Sequence, residues 1–498
     1  MLARIILGIL YTATGLAIIG TIVLQNHARI ACHWNWDSKD SFMRMVVFAD
    51  PQMEGDAKIR RLGKRAHVDL AFNDAYMRHI YKQMMSSSWE PLALLSAFLS
   101  KSRKPHTPRS PTHVSILGDL FSSQWIDDAE FDVRVARYRS IFPDPSLSSG
   151  AVVAGEESSV PVMINITGNH DIGYGYDISQ DRVERWEQVF GKSNFISSMD
   201  IPVIDADGAS ENDTNSRRTQ STSNGRISDG SRRRLHLVVL NTMLLDGPSS
   251  DENLRGQTWK FLQEASLLKE NNPKDKIVLL THIPFHKEQG ICVDPPDIRV
   301  HWDNTIIEQT MLTPNTTQWI LNTLRPDFVL NGHDHYGCDV VHTLQHGQDT
   351  WIASATTDLS LSTSGSSQKQ DEEEKQKEVK GQAPPPPPAL RVREITQRSM
   401  MAEFGGYSGL FEIKIPSYSS LSENNNSNEE EAEELEFHYT ACGFFNDLQV
   451  WIVIITDLVV VLLWAFYGLV HLITSSLASL GQARKKTHFL PSEKQKLL

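Results

Sequence analysis

The sequence predicts an α/β domain that lies between two transmembrane helices, and two features support this. First, Ile5–Leu24 and Leu448–Ile473 are apolar runs, each long enough to cross a bilayer core of about 30 Å. Second, short continuous apolar runs alternate between them with segments of helical periodicity. Continuous apolar runs are typical of strands covered on both faces, and their alternation with helices indicates a layered sheet.

The boundaries of the elements follow from this periodicity. The predicted strands are Met43–Ala49, His113–Leu117, Pro161–Thr167, Leu235–Leu240, Ile277–Thr281, Phe328–Leu330 and, as the final strand, Leu410–Ile415. The predicted helices are, approximately, Val68–Met85, Asp127–Ser140, Arg182–Phe190 and Gln257–Lys269. We expect disordered inserts at 210–234 and 362–388, because these segments hold too little apolar surface to fold.

The charge balance excludes one class of partner. The chain has 498 residues and a formal net charge of −13, whereas binding of nucleic acid requires clustered Lys and Arg. Part of the negative charge is local, because Glu429–Glu436 contains six glutamates. We therefore expect no nucleic-acid partner, and a folded domain that is closer to neutral than the whole chain.

Basic residues at both ends of the chain predict its topology. Arg4 precedes the first apolar run, and Arg484, Lys485 and Lys486 follow the second; positive flanks stay in the cytosol. The expected order is a cytosolic N-terminus (1–4), a transmembrane helix (5–24), a lumenal linker (25–42), the folded domain (43–416), an acidic lumenal linker (417–447), a transmembrane helix (448–473) and a cytosolic basic tail (474–498).

Two points about the apolar runs stay open at this stage. A cleaved signal peptide is the alternative for the first run, although no clear small-residue cleavage site follows it. The second run contains Asp457, which is costly inside a membrane. This carboxylate either lies near the interface or pairs with a polar group of the first helix.

Short motifs agree with a lumenal domain in the endoplasmic reticulum. Sequons at Asn212, Asn315 and Asn425 are expected to be glycosylated, whereas the sequon at Asn165 lies in a predicted core strand and is discounted. The tail carries Lys494 and Lys496, the fifth and third residues from the end. This spacing resembles the dilysine retrieval signal that coat machinery reads; an ordinary basic tail is the alternative.

Five short motifs, each directly after a predicted strand, supply ligands for two metal ions. They are Asp50-Pro-Gln52, Gly118-Asp119, Gly168-Asn-His-Asp171, His282 and Gly332-His-Asp-His335. Adjacent strands are about 4.8 Å apart, so side chains at their ends converge. We predict one site from Asp50, Gln52 and His335, a second from Asn169, His282 and His333, and a bridge from Asp119. Each motif alone is equally typical of a helix cap or a structural histidine; their conjunction predicts a centre for phosphoester hydrolysis.

The order of these motifs resembles that of the calcineurin-like metallophosphoesterase superfamily, over roughly residues 44–360. The resemblance implies a four-layer α/β/β/α sandwich with a di-metal centre at one edge of the two sheets. Gln52 departs from the family pattern, which has His there. An amide oxygen is a weaker ligand than imidazole, and an oxygen-rich site favours manganese or magnesium.

Two further blocks resemble a fungal branch of this superfamily that remodels glycosylphosphatidylinositol anchors. They are Ala49-Asp-Pro-Gln-Met-Glu-Gly55 and Arg398-Ser-Met-Met-Ala-Glu-Phe-Gly-Gly406. The resemblance implies a phosphoric diester hydrolase of the endoplasmic reticulum that uses two divalent ions, with manganese favoured. Its substrate would be an ethanolamine phosphate on a mannose of anchored proteins, whose export this removal promotes.

Further residues are expected to act on the substrate. We predict that His170 donates a proton to the leaving oxygen and that Asp171 orients it. Tyr174 and Tyr176 offer aromatic faces for the ethanolamine ammonium, with core packing as the alternative. His286 is a candidate phosphate contact.

The four cysteines allow two disulfides or four free thiols. Cys292 and Cys338 each follow a predicted metal-binding segment, so a bridge near the site is one expectation. Cys32 and Cys442 flank the two apolar runs, and a bridge between them would tie the two lumenal ends together.

Two other functions compete with the phosphodiesterase hypothesis. One is a metallophosphatase that acts on a different phosphoester. The other is a lumenal cargo adaptor in which Gln52 marks a decayed metal site.

Overall fold

The computed structural model describes residues 2–32, 41–85, 111–144, 161–201, 233–345, 347–356, 390–415 and 435–487. The chain divides into two compact units, Met1–Ile30 with Phe445–Leu498, and Ala31–Phe444. The inserts predicted at 210–234 and 362–388 lie outside the described residues, apart from residues 233 and 234. All strands of the described chain belong to the unit Ala31–Phe444.

Nine α-helices and fourteen strands form in the described residues. The helices are α1 Leu2–Ala31, α2 Asp56–Leu62, α3 Lys64–Met85, α4 Asp128–Ile141, α5 Asn169–Ile172, α6 Gln180–Phe190, α7 Glu252–Asn271, α8 Pro314–Thr323 and α9 Asp447–Thr487. The strands are β1 Ser41–Phe48, β2 His113–Ile116, β3 Val162–Asn165, β4 Phe195–Asp200, β5 Arg234–Val239, β6 Lys276–Leu280, β7 Ile298–Val300, β8 Ile306–Gln309, β9 Phe328–Asn331, β10 Cys338–Leu344, β11 Ile352–Ala355, β12 Leu390–Thr396, β13 Tyr407–Lys414 and β14 Glu436–Gly443.

The smaller unit consists of α1 and α9. Within them, Arg4–His27 and Asp447–Leu480 are long and apolar enough to cross a membrane. Thr21 Oγ1 donates a hydrogen bond of 2.7 Å to Asp457 Oδ2, and Trp464 Nε1 donates one of 2.8 Å to Thr14 Oγ1. Of the two positions that the sequence left open for Asp457, the structure shows the pairing with a polar group of the first helix.

Two sheets make up the larger unit. The first has the strand order β14-β13-β1-β2-β3, with β1, β2 and β3 parallel. The second has the order β11-β10-β12-β9-β6-β5-β4, with β5, β6, β9 and β12 parallel. Strands β7 and β8 form a separate antiparallel hairpin. Because parallel strands end at the same edge of a sheet, the loops that follow them meet there.

One hydrophobic core joins the two sheets. Met45 and Val47 of β1 pack in the same buried cluster as Leu237 of β5, Leu280 of β6 and Leu330 of β9. Aromatic residues also cover the first sheet: the rings of Tyr81, in α3, and of Phe142, directly after α4, contact Phe48 of β1. Four helices begin at a side chain that accepts a backbone N–H, namely Asp127, Ser179, Asp251 and Thr313. The predicted α/β class is confirmed.

The prediction that Leu410–Ile415 ends the sheet is wrong. Strand β14 follows it and pairs antiparallel with β13, from Lys414 opposite Glu436 to Tyr407 opposite Gly443. Part of the segment predicted as an acidic linker is therefore an edge strand. Its alternating residues Phe437 and Tyr439 pack on the core, but the neighbouring glutamates mask this period of two in the sequence.

Candidate metal centre

The structure brings all seven predicted metal ligands together at the ends of the parallel strands. His282 Nε2 lies 3.0 Å from Asn169 Oδ1 and 3.3 Å from Asp119 Oδ1. The remaining contacts are from the His333 backbone N–H to Asp50 Oδ1 at 3.1 Å, and from Gln52 Nε2 to Asp119 Oδ2 and to His335 Nε2, each at 3.1 Å. Residues from five strand ends in two sheets therefore surround one point.

Three of these side chains form a set with the spacing of metal ligands. One donor atom from each of Asp119, His282 and His333 lies within 4.8 Å of the other two. Carboxylate oxygen and imidazole nitrogen are the donors that manganese, zinc and iron accept. The donor set present in the structure thus fits a divalent cation.

The backbone at these positions is unusual. Among the described residues, six that are not glycine have positive φ, and four of them are predicted ligands: Asp50, Gln52, Asp119 and His333. Residues in this region cost about 1–3 kcal/mol each and cluster at functional sites. The strain is therefore concentrated where the loops place donor atoms.

Two glycines allow the loops to approach each other. A Cβ atom on Gly118 would collide with the His282 ring, and one on Gly168 would collide with the Asp119 carboxylate. These two positions require glycine for packing, which explains why both precede a ligand in the sequence.

Backbone carbonyl groups orient two of the histidines. His282 Nδ1 lies 2.7 Å from the Leu117 carbonyl oxygen, and His333 Nε2 lies 2.8 Å from the Gln309 carbonyl oxygen. An N–H at each of these nitrogens donates to the carbonyl, which leaves Nε2 of His282 and Nδ1 of His333 for a cation. Such contacts set the tautomer of a metal-binding histidine.

Burial and neighbouring charges shift the pKa values of the group. Burial raises the pKa of Asp50 well above its usual value, whereas His282 and His170 outweigh burial and lower the pKa of Asp119. Burial alone would lower the pKa of His282, but Asp119 and Asp50 raise it to about 9. Burial lowers the pKa of His333 to about 3. A neutral His333 is therefore ready to bind a cation at pH 7, while His282 holds a proton that a cation must displace.

The block Arg398–Gly406 after β12 packs against the side of the group that holds Asp50 and His335. The Ser399 hydroxyl donates a 3.0 Å hydrogen bond to the Asp50 carbonyl oxygen, and its N–H donates one of 3.2 Å to the His335 carbonyl oxygen. The Phe404 ring lies 4.7 Å from the His335 ring. The segment 398–406 thus supports two ligand loops that are distant in sequence.

A cavity of about 340 Å³ opens beside the ligands. Three of the residues that we predicted to act on the substrate line this cavity, namely His170, Tyr174 and Tyr176. Tyr174 is buried and donates to the Gln309 carbonyl oxygen at 3.3 Å, whereas Tyr176 is exposed. His286 is not among the lining residues; its N–H donates to Thr317 Oγ1 at 2.9 Å.

Asp171 has a different role from the predicted one. Its two carboxylate oxygens accept the backbone N–H groups of Phe121, at 3.1 Å, and Gly168, at 2.9 Å. The carboxylate near His170 is that of Asp119, with Oδ2 3.9 Å from His170 Nε2. Asp171 therefore caps the short helix α5 instead of orienting His170, because the turn brings its side chain back onto the backbone.

Sequence reasoning missed a buried charged residue behind the site. Glu394 Oε1 accepts from Lys287 Nζ and Asn331 Nδ2, each at 2.7 Å, and from the Phe285 N–H at 2.8 Å, while Oε2 lies 2.7 Å from His342 Nε2. Phe285 follows His282 and Asn331 precedes His333, so one carboxylate connects both ligand loops. The sequence held no local signal for this role, because Glu394 stands in the mixed segment Arg391-Val-Arg-Glu-Ile-Thr396 beside another charged residue.

Both cysteine pairs are disulfides in the structure. Cys292 bonds to Cys338 and Cys32 to Cys442, with Cα atoms 5.6 Å apart in each pair. Asn315 is exposed at the start of α8, and Asn165 accepts a hydrogen bond from Tyr138. The predicted positions Asn212, Asn425, Lys494 and Lys496 lie outside the described residues.

Two sheets around one core, with acidic, amide and imidazole side chains gathered at their strand ends, define a metal-dependent α/β hydrolase. Residues 43–337, more than half of the chain, match the calcineurin-like phosphoesterase family. The chain belongs to this family, and its hydrolase class is that of phosphoesterases. This confirms the superfamily that the motifs predicted.

Curated relatives extend the likeness. The chain is 28% identical to Protein TED1 of Saccharomyces cerevisiae over 434 residues, which are 74% of each chain. It is 30% identical to an uncharacterized protein of Schizosaccharomyces pombe over 318 residues, 61% of this chain and 65% of that one. It is 27% identical to Metallophosphoesterase 1 of Mus musculus over 255 residues, 47% of this chain and 52% of that one.

Proposed function

We propose that the chain is a membrane-bound phosphoric diester hydrolase that removes ethanolamine phosphate from a mannose of glycosylphosphatidylinositol anchors. The convergence of the seven ligands supports the hydrolytic reaction, since five of them line one cavity and the buried side chains of Asp50 and His282 lie directly behind it in contact with the others. The resemblance of the blocks 49–55 and 398–406 to the anchor-remodelling branch supports the substrate, together with the similarity to Protein TED1. Anchored proteins are then its substrates, and its action promotes their export.

The ligand set would hold two divalent cations, for which we propose manganese. Asn169, His282 and His333 would bind one ion, Asp50, Gln52 and His335 the other, and Asp119 both. When bound, the pair supplies Lewis-acid charge to a phosphoryl oxygen and lowers the pKa of water. The carboxylates of Asp50 and Asp119, both fully buried, would hold the cations in a site of low dielectric constant, where their charge acts strongly on the substrate.

The side chains around the cavity perform the remaining steps. We assign to His170 the donation of a proton to the leaving sugar oxygen, because it lines the cavity and its Nε2 faces Asp119 at 3.9 Å. The Tyr176 ring, exposed on the cavity wall, would hold the ethanolamine ammonium through a cation–π contact of about 0.5–2 kcal/mol. Asp119 thereby acts on both the cations and the proton donor.

We also propose the placement of the chain in the endoplasmic reticulum membrane. Residues 5–24 and 448–473 would cross it, residues 25–447 would be lumenal, and 1–4 and 474–498 cytosolic, with the lysine tail read by coat machinery. Both disulfides lie between the two apolar helices in the sequence, as suits an oxidising compartment. A lumenal active site would be attached to the same membrane as a lipid-anchored substrate, which favours this glycolipid over a soluble phosphoester as the substrate.

Complementation with matched variants tests this proposal. Anchor glycans from cells that lack the protein are analysed by mass spectrometry, before and after expression of the wild type or Asp119→Asn. We expect ethanolamine phosphate to be retained on one mannose and to be removed only when the wild type is expressed. Rescue by Asp119→Asn would instead favour a cargo adaptor without catalysis, and unchanged glycans would favour another phosphoester.

A further inference from the structure

The hairpin β7–β8 projects beside the cavity and exposes hydrophobic side chains. Every residue of β7 is exposed, and Trp302, in the turn, is 85% exposed. Exposed apolar clusters mark binding sites, because they leave apolar surface in contact with water without contributing to the core. Strand β8 packs inward through Ile306 and Gln309, so it is the exposed strand β7 and the turn that serve something other than core packing.

The hairpin is rigidly connected to the metal centre. The disulfide from Cys292 to Cys338 joins the segment before β7 to the strand after His335. At the other end of the hairpin, Gln309 of β8 accepts from His333 through its carbonyl oxygen. A surface held this way keeps a constant position relative to the reacting groups.

A row of aromatic rings leads from the cavity to the tip of the hairpin. The ring of Tyr176, which lines the cavity, lies 4.5 Å from that of His301, and His301 lies 5.5 Å from Trp302. Arg299 and Glu308 form an ion pair across the hairpin, and both line the cavity. The surface thus combines flat apolar faces with paired polar groups.

We infer that Tyr176, His301 and Trp302 form a binding site for the sugar rings next to the phosphorylated residue of a glycan substrate; this deepens the proposed function and rests on it. A cavity of about 340 Å³ is at the small end of ligand cavities, so it holds the phosphoester and one ring. Further rings extend over the hairpin, where the C–H faces of sugars pack on aromatic rings and their hydroxyl groups bond to Arg299 and Glu308. An aliphatic ligand would form no hydrogen bonds with that ion pair.

The test uses the full-length protein in detergent with manganese, the variants Trp302→Ala and Trp302→Phe, and Ile352→Ala as a control. Ile352 is exposed on β11 and is not among the residues that line the cavity. Two substrates are compared, an ethanolamine-phosphate trimannoside and bis-p-nitrophenyl phosphate, which has no sugar. For Trp302→Ala we expect KM for the trimannoside to rise by about tenfold with kcat unchanged, partial recovery in Trp302→Phe, and no change with bis-p-nitrophenyl phosphate.

Binding of unphosphorylated trimannoside, followed by saturation-transfer NMR, separates this inference from the proposed reaction. Signal from the wild type that is lost in Trp302→Ala supports the sugar site even if the phosphorylated trimannoside is not hydrolysed, and in that case the proposed substrate fails alone. Absence of signal from the wild type overturns the sugar site. An equal rise in KM for both substrates, or equal values for Trp302→Ala and Ile352→Ala, also overturns it.

Discussion

The two halves of the candidate metal centre differ in how firmly they are built. On one side, His282 and Asn169 are buried, and carbonyl oxygens orient His282 and His333. On the other side, Asp50 is buried but Gln52 and His335 are partly exposed, as His333 is too, and Gln52 supplies an amide where the family pattern has imidazole. The first group, here called the buried half, is preorganised for a cation, whereas the second, the open half, is adaptable.

Glu394 explains much of this difference. Its carboxylate is fully buried and connects the loops that carry His282 and His333. The open half depends instead on Ser399 and Phe404, which come from a loop at the edge of the site. Partners behind the ligands commonly determine metal affinity, so we expect one tight site and one exchangeable site.

Removal of the bridging carboxylate should abolish the function of both halves. In Asp119→Asn we expect kcat to fall by about a thousandfold or more, because neither cation keeps a shared anionic ligand. The measurement is manganese-dependent hydrolysis of bis-p-nitrophenyl phosphate. Asp128→Asn is the control, since Asp128 is exposed and pairs with Arg185; wild-type activity in Asp119→Asn would disprove the bridge.

Loss of the Glu394 charge should weaken the buried half selectively. In Glu394→Gln we expect manganese affinity at the tighter site to fall by about 10–100-fold, because Lys287 loses its buried anionic partner and the neutral amide oxygen accepts more weakly from both loops. Calorimetric titration resolves the two sites. A double variant, Glu394→Gln with Lys287→Met, removes the unpaired charge; equal affinities in wild type and both variants would exclude a positioning role.

Replacement of the weak ligand should strengthen the open half. In Gln52→His we expect the weaker manganese site to gain about tenfold in affinity. This is the lower end of the range of affinity changes that substitutions around a metal site produce. Gln124→His is a matched control, because Gln124 lines the same cavity but bonds to Asp177. A gain in both variants would mean that added imidazole, not its position, is responsible.

The smallest expected effect is a pH dependence of the buried half. Asp119 and Asp50 raise the pKa of His282 to about 9, so His282 is protonated at pH 7 and a cation must displace that proton. Affinity at the tighter site should therefore increase with pH between 7 and 8 by up to about tenfold. Titration in buffers of different ionisation enthalpy measures the released proton; affinity that is independent of pH would contradict the assignment.

The sequence was sufficient for the class of fold and the candidate ligands. Apolar runs identified β1, β2, β3, β6 and β9 to within a few residues, because burial on both faces leaves a local signal. The ligands follow those strands directly, and parallel strands end at one edge. Local order along the chain was therefore enough to predict which side chains meet.

Only the tertiary structure decided the supporting contacts. Glu394 and Lys287 are 107 residues apart in the sequence, and the Gln309 carbonyl that orients His333 has no side-chain signature. Likewise, β14 depends on pairing with β13, and Asp171 turned to the backbone instead of to His170. Such contacts form between distant segments after the core has assembled, so no periodicity or spacing within either segment records them.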